Sequence, residues 1–272
     1  MLTVNSVSYG YTKKRKIIKN ISLNLQPGTI YGLLGLNGEG KTTLIKLMEG
    51  LLLPKEGDIK FGGINSKERL GKYFDQVFYL GDTTNLPYLY VHDFGRMYGN
   101  FYSNFNYTEF ENYLQEFQID PNSHLSSLSL GQGKKVHLAF GLACNTAVLL
   151  MDEPTNGLDI PSKTIFRRLL ANSLTPEKTV VIASHQIRDI DQLLDHLLIL
   201  HQGELILDKS LSDINDQYAI TSEITPGDEI IFQTEEVVGN KYLIVNKTEA
   251  TSNMDIEFLF NAFINTSKTT VK

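Results

Sequence analysis

Apolar positions along this chain recur at two periods, and the switches between them predict its elements. Leu2, Val4 and Val7 alternate with polar residues, and Ile21, Leu23 and Leu25 do the same beyond the basic run Lys13-Lys14-Arg15-Lys16. Two antiparallel strands joined by a charged turn account for that pattern. Pro27-Gly28 then turns the chain into the apolar run Ile30 to Leu34, behind which Leu44, Leu47, Met48 and Leu51 recur at helical spacing. A turn at 54–58, a short hairpin through Ile59-Lys60-Phe61 and Gly62-Gly63, and a strand at Val77–Leu80 follow.

From about residue 84 to 128 aromatic residues crowd in and the period becomes helical, with Phe110, Leu114 and Phe117 on one stripe. Thr108 and Glu111 have the spacing of a capping box for that helix. This stretch contains few lysines or arginines, so its aromatics are read as core or partner contacts rather than as a base-stacking surface. Ser129 is placed as the N-cap of a helix running through Ala143. Two continuous apolar runs, Ala147 to Met151 and Val180 to Ala183, have the texture of strands buried on both faces, and a helix opening at Pro161 lies between them. Residues 197–207 read as a hairpin around Gln202-Gly203. Beyond about 220, Ile230-Ile231-Phe232, Tyr242 to Val245 and an amphipathic segment carrying Ile256, Leu259, Phe260, Phe263 and Ile264 predict a small β-β-α unit whose last residues, from about Thr266, fray.

Composition narrows the picture modestly. With 272 residues, 42% hydrophobic and 21% charged, the chain can bury a full core. A net charge of −6 argues against a nucleic-acid binder that relies on bulk positive charge. The single cysteine, Cys144, falls in an apolar helical stretch and fits a reducing compartment. No signal pattern is visible at the N-terminus, and no apolar run approaches the roughly twenty residues needed to span a bilayer, so a cytoplasmic protein is expected. The six histidines have no close metal-ligand spacing.

Chemistry enters at Gly35-Leu36-Asn37-Gly38-Glu39-Gly40-Lys41-Thr42-Thr43, which fits G-x-x-x-x-G-K-[ST] between a predicted strand and a predicted helix. Glycines let successive N–H groups point inward, and the helix start adds positive charge, so a polyphosphate would sit there. Lys41 would reach the terminal phosphates, and the Thr42 hydroxyl would ligate the Mg²⁺ of a nucleoside triphosphate. The run at 147–151 ends in Asp152-Glu153. Asp152 is placed to hold Mg²⁺, and Glu153 to orient and deprotonate an attacking water. Val180–Ala183 ends in Ser184-His185; a lone histidine is ordinarily structural, but this one lies where the other strands deliver their polar groups. Asp82, just beyond the strand at 77–80, has the same placement. Near the basic run, Tyr9 and Tyr11 are candidates to stack on a flat ring such as adenine, or equally to pack as edge-strand residues.

In order and spacing these stretches resemble the nucleotide-binding subunit of an ATP-binding cassette transporter over residues 1 to about 215. The phosphate loop at 35–43, Leu128-Ser129-Leu130-Gly131-Gln132 as the signature stretch, Val148 to Pro154 as the acidic strand, His185 as the switch histidine and Asn156-Gly157-Leu158-Asp159 as the D-loop carry the likeness. The resemblance implies an α/β P-loop NTPase fold, a mainly parallel sheet flanked by helices. It further implies an N-terminal antiparallel β subdomain, a helical lobe inserted at about 84–145, and a C-terminal extension over 216–272. It implies an ATPase that pairs head to tail with a second ABC subunit, identical or not. A separate transmembrane permease, most like those of simple exporters, would hold it at the cytoplasmic face of the membrane, with no nucleic acid involved. By the same resemblance Tyr11 would stack on adenine, Ser129, Gly131 and Gln132 would contact the γ-phosphate of the partner's ATP, and Glu153 and His185 would be catalytic. Leu130 stands where the family has a glycine, Asn156 where serine is common, and Asp82 where it has a glutamine; Asp82 could still bind Mg²⁺. The rival expectation is a cassette protein without a permease, regulatory or associated with nucleic acid.

Overall fold

The computed structural model describes residues 1–82, 86–236, 239–246 and 255–269. It begins with β1 (Leu2–Tyr9) and β2 (Ile18–Leu25), the antiparallel pair expected from the alternation, followed by β3 (Ile30–Leu34) and α1 (Lys41–Glu49). Gly50, in the left-handed region at φ 90°, ends α1, so Leu51 leaves the helical stripe and is exposed. β4 (Glu56–Phe61) and β5 (Ile64–Asn65) form the hairpin; α2 (Gly71–Phe74) and β6 (Val77–Leu80) follow. The aromatic stretch becomes α3 (Val91–Gly99) and α4 (Tyr107–Glu116), then α5 (Leu130–Ala143) leads to β7 (Val148–Asp152), α6 (Ile160–Asn172), β8 (Thr179–Ala183), β9 (His196–His201) and β10 (Glu204–Ser210).

Among the described residues there are three sheets. One is antiparallel, ordered β2-β1-β4-β5. The central one is ordered β10-β9-β3-β8-β7-β6 and is parallel except at β10. Its strands face apolar groups on both sides. Ile30, Leu149, Met151, Val180 and Ile182 pack with the helical lobe, while Tyr31, Leu33, Val148, Leu150 and Val181 pack with α1 and the antiparallel sheet. A two-sided core of this kind requires the continuous apolar runs seen in the sequence. Because β3, β6, β7 and β8 run parallel, their C-terminal ends fall along one edge, and the polar residues that follow them converge there.

The lobe's aromatics divide by position. Phe94, Phe105 and Phe110 pack around Phe140 of α5, with Phe94 4.7 Å from it between ring centroids, whereas Tyr88 and Phe101 are exposed. The α4 cap lies two residues earlier than expected: Asn106, in extended backbone, accepts from Glu109 N at 3.1 Å. Thr108 therefore sits inside the first turn, because an asparagine two positions upstream already satisfies the helix start. Beyond β10 come α7 (Leu211–Gln217), β11 (Tyr218–Thr221), β12 (Ile230–Glu236), β13 (Gly239–Val245) and α8 (Ile256–Thr269). The small C-terminal sheet thus has a third strand, β11, paired with β13, that the sequence pattern did not separate. The last helix also continues past Thr266.

Candidate functional site

The residues between β3 and α1 bend tightly. Gly38 and Gly40 adopt φ +82° and +106°, and a side chain at Gly40 would meet Ile17 at 2.9 Å, so this turn is open to glycine alone. α1 begins at Gly40 with no side-chain cap, which leaves its first N–H groups available to an anion. Lys41, buried, donates to the carbonyls of Gly35 at 2.7 Å and Leu36 at 3.2 Å. Burial pushes its ammonium below the ordinary lysine range, against the raising effect of Glu153, Asp152 and Glu39. The loop is thereby folded around its own lysine.

A cleft of about 580 Å³ opens above this loop, lined among others by Tyr11, Asn37, Lys41, Asp82, Asp152 and His185. Thr42 donates to Asp152 Oδ2 at 2.6 Å across 110 residues of sequence, joining two of the three expected metal ligands. Asp152 is buried, and that burial raises its carboxyl above the usual range; the charges of Glu153 and Asp82 raise it further, and the Thr42 bond lowers it. Two hard oxygen donors and a carboxylate short of positive charge fit a divalent cation.

Glu153 follows β7 at φ 48°, a left-handed conformation that costs a non-glycine residue about 1–3 kcal/mol. The bend turns its carboxylate toward the end of β8. There Oε1 accepts from His185 N at 3.0 Å and lies 2.7 Å from His185 Nδ1, while Oε2 accepts from Ser184 Oγ at 3.1 Å. A carboxylate can only accept in this pairing, so His185 Nδ1 carries a proton and Nε2 is the outward nitrogen. Tyr11 is 58% exposed on the cleft wall, its hydroxyl 3.3 Å from Thr43 Oγ1. Tyr9 meets Tyr11 edge to face and does not line the cleft.

Other expected site residues lie elsewhere. Gly35, Leu36 and Glu39 do not line the cleft. The Glu39 side chain turns to the end of β9, where it accepts from Gln202 N and lies 3.2 Å from His201 Nδ1. Asp82 lines the cleft, but its carboxylate accepts from Asn156 at 3.4 Å and faces Lys134 at 3.8 Å rather than meeting Thr42 or Asp152. Ser129, Gly131 and Gln132, at the start of α5, do not line the cleft either. Ser129 and Gln132 form a reciprocal capping box there, Gln132 N to Ser129 Oγ at 3.2 Å and Ser129 N to Gln132 Oε1 at 2.9 Å. Leu130 beside them is 88% exposed. The start of α6 lies near: a side chain at Gly131 would come within 3.1 Å of the Gly157 carbonyl, Lys135 approaches Asp159 at 3.7 Å, and Ile160 is 80% exposed.

Tyr79 and Asn156 also line the cleft and were not singled out as ligand contacts by sequence reasoning. Tyr79 sits in a strand that reads as plain core, and Asn156 stood only as a D-loop variant. Further back on α5, His137 meets Phe78 edge-on, and burial, with Lys134 adding to it, lowers its imidazole to about 4.

Comparison with known proteins fits this geometry. The family model described as ABC transporter matches residues 18–156. The ABC transporter ATP-binding protein NatA of Bacillus subtilis (strain 168) is 31% identical over 230 residues, covering 79% of this chain and 91% of that protein. The bacitracin transport ATP-binding protein BcrA of Bacillus licheniformis is 31% identical over 200 residues, 71% of this chain and 64% of that protein. A solved ATP-binding subunit of an ABC transporter superposes with a TM-score of 0.73 at 25% identity, over 79% of this chain and 92% of that one.

Proposed function

The chain belongs to the ABC transporter family of ATP-binding proteins, and on that premise we propose that it hydrolyses ATP, paired with a second cassette, to drive a separate membrane permease. The observation that carries this reading is the meeting of Thr42, Asp152, Glu153 and His185 at one sheet edge above an uncapped helix start. Lys41 and the first N–H groups of α1 hold the phosphates, and Tyr11 stacks on adenine. Thr42 and Asp152 are the residues that would hold Mg²⁺, which would neutralise phosphate charge there, and Asp82 lines the same cleft. Glu153 takes the proton of the attacking water. Ser184 and the His185 N–H fix the direction of its carboxylate, and His185 donates from Nε2 to the γ-phosphate when that nitrogen also carries a proton.

The remaining donors come from the second cassette. In the Ser129–Gln132 box each side chain uses one atom, so the Ser129 hydroxyl proton and the Gln132 amide NH₂ stay free to donate to a phosphate on a facing surface. Exposed Leu130 and Ile160, at the two helix starts held together by Gly131 and Gly157, supply the apolar contact that such a surface needs. A second copy of this chain meets these requirements, and closure of the pair is the step passed to the permease. Among the described residues no helix is long and apolar enough to cross a membrane, so membrane attachment would come through the permease at its cytoplasmic face. The bacitracin transport relative supports a transport role, with export as the proposed direction.

The test is steady-state hydrolysis by the wild type and by Glu153→Gln. The substitution lowers kcat by roughly a hundredfold or more while ATP affinity stays the same; equal turnover removes Glu153 from the role of base. Glu153→Gln, stalled with ATP, then captures a polytopic membrane protein from solubilised membranes. Recovery of ribosomes or DNA-bound proteins instead overturns the permease reading.

A further inference from the structure

Lys134 is the first of two adjacent lysines near the start of α5, and its side chain is only 4% exposed. Its ammonium reaches across to the end of β6, donating to the Gly81 carbonyl at 3.2 Å and the Asp82 carbonyl at 3.0 Å, and it lies 3.8 Å from Asp82 Oδ1. Two of its donors thus meet carbonyl oxygens and an opposite charge stands nearby, the condition under which a buried ammonium is tolerated. An apolar residue would fill the same helix face without the cost of burying a charge, so stability alone does not account for a lysine there.

The bonds continue beyond Asp82. Its carboxylate accepts from Asn156 Nδ2 at 3.4 Å; Asn156 Oδ1 accepts from Gln186 Nε2 at 3.2 Å; Gln186 N donates to Ser184 Oγ at 3.0 Å; and Ser184 Oγ donates to Glu153 Oε2 at 3.1 Å. The path runs from the helix that begins at Ser129 to the carboxylate assigned as the base. Lys134 is its first link, little more than one turn behind Ser129, and it joins α5 to the strand end carrying Asp82.

We propose that Lys134 is a positioning residue, which locks the start of α5 to Gly81-Asp82 so that a ligand seated on Ser129 is felt at Asn156 and Glu153. The role rests on the ATPase reading above. Lys134 does not itself line the cleft; it sets where Asp82, which does, stands. A rigid link of this kind between a docking surface and a catalytic group acts on turnover and leaves affinity for ATP at the phosphate loop alone.

The test is Lys134→Met, which keeps the length of the side chain and removes its donors, alone and combined with Asn156→Ala. ATP affinity, kcat and thermal midpoint are measured for each protein. Lys134→Met lowers kcat on the order of tenfold, by misplacing groups rather than removing them. ATP affinity and thermal midpoint stay close to wild type. The double variant is no slower than the slower single one, since both break the same path. A kcat within twofold of wild type overturns the role. So does a parallel fall in kcat, affinity and midpoint, or effects that multiply in the double variant, because each marks a residue that merely stabilises the fold. If Lys134→Met does not fold, Lys134→Gln, which retains one neutral donor, is read by the same criteria. A wild type that hydrolyses no ATP defeats the ATPase reading and this role with it, whereas an active wild type matched by Lys134→Met defeats this role alone.

Discussion

Two helix starts in this molecule are built in opposite ways. α1 opens at a glycine with no cap, over a loop already folded around Lys41 and facing Asp152 and His185. α5 opens at Ser129, closed by its own capping box and flanked by an 88% exposed leucine, with no other part of the cleft in front of it. Uncapped donors in a prepared cleft await a ligand that arrives alone. Capped donors on an apolar surface suit a ligand that arrives with a partner, since the box keeps the helix intact while the outer face is bare. Under the proposed function, the difference accounts for one chain carrying two such helix ends that do not meet.

Removing the centre of the first region has the largest expected effect. Lys41→Met costs on the order of a hundredfold in ATP affinity, the worth of charge-assisted hydrogen bonds to phosphate; nucleotide titration of the purified chain measures it. Ser129→Arg acts on the second region alone. It slows hydrolysis by about tenfold or more by obstructing the facing surface, and leaves ATP binding to the single chain unchanged. A fall in both quantities would mean that the two regions are not separate.

The next effect sharpens the contrast within α5, exposed at its start and buried behind it. His137 has a folded value of about 4, below the ordinary 6.5, because burial disfavours its charged form. The unfolded chain therefore binds this proton first as the solution is acidified. The stabilisation is complete above about pH 6.5, is lost as pH falls toward 4 at a slope of at most about 1.4 kcal/mol per pH unit, and levels off below. Denaturant midpoints across that window measure the slope, which His137→Leu removes. The smallest effect is the cap itself: Ser129→Ala lowers stability by about 1 kcal/mol, read as a shift of the thermal midpoint.

What was legible in the sequence was local. The phosphate loop lies between a strand and a helix that announce themselves by period, and Asp152-Glu153 ends an apolar run, so both could be read from a few residues. Ser129 was legible as a cap from its place at the opening of a helical stretch, while its partner Gln132 is seen only in the structure. The cap of α4 was misread by two positions, because Asn106 and Thr108 are both competent and only backbone geometry chooses between them. The turn of Glu39 away from the cleft toward Gln202 spans 163 residues, and the Lys134 contacts with Gly81 and Asp82 span 53 and 52. No periodicity encodes such pairings; they follow from which strands become neighbours in the sheet. Lys134, between Gly133 and a second lysine, carried no sign of its burial.

The claim that the second region completes the first in another copy is tested most directly by the mass of Glu153→Gln in solution, measured by light scattering with and without ATP. The account predicts 30.6 kDa without nucleotide and twice that with it, and no doubling when Ser129→Arg is added. A single-chain mass at saturating ATP, with wild-type hydrolysis per chain independent of protein concentration, would contradict it.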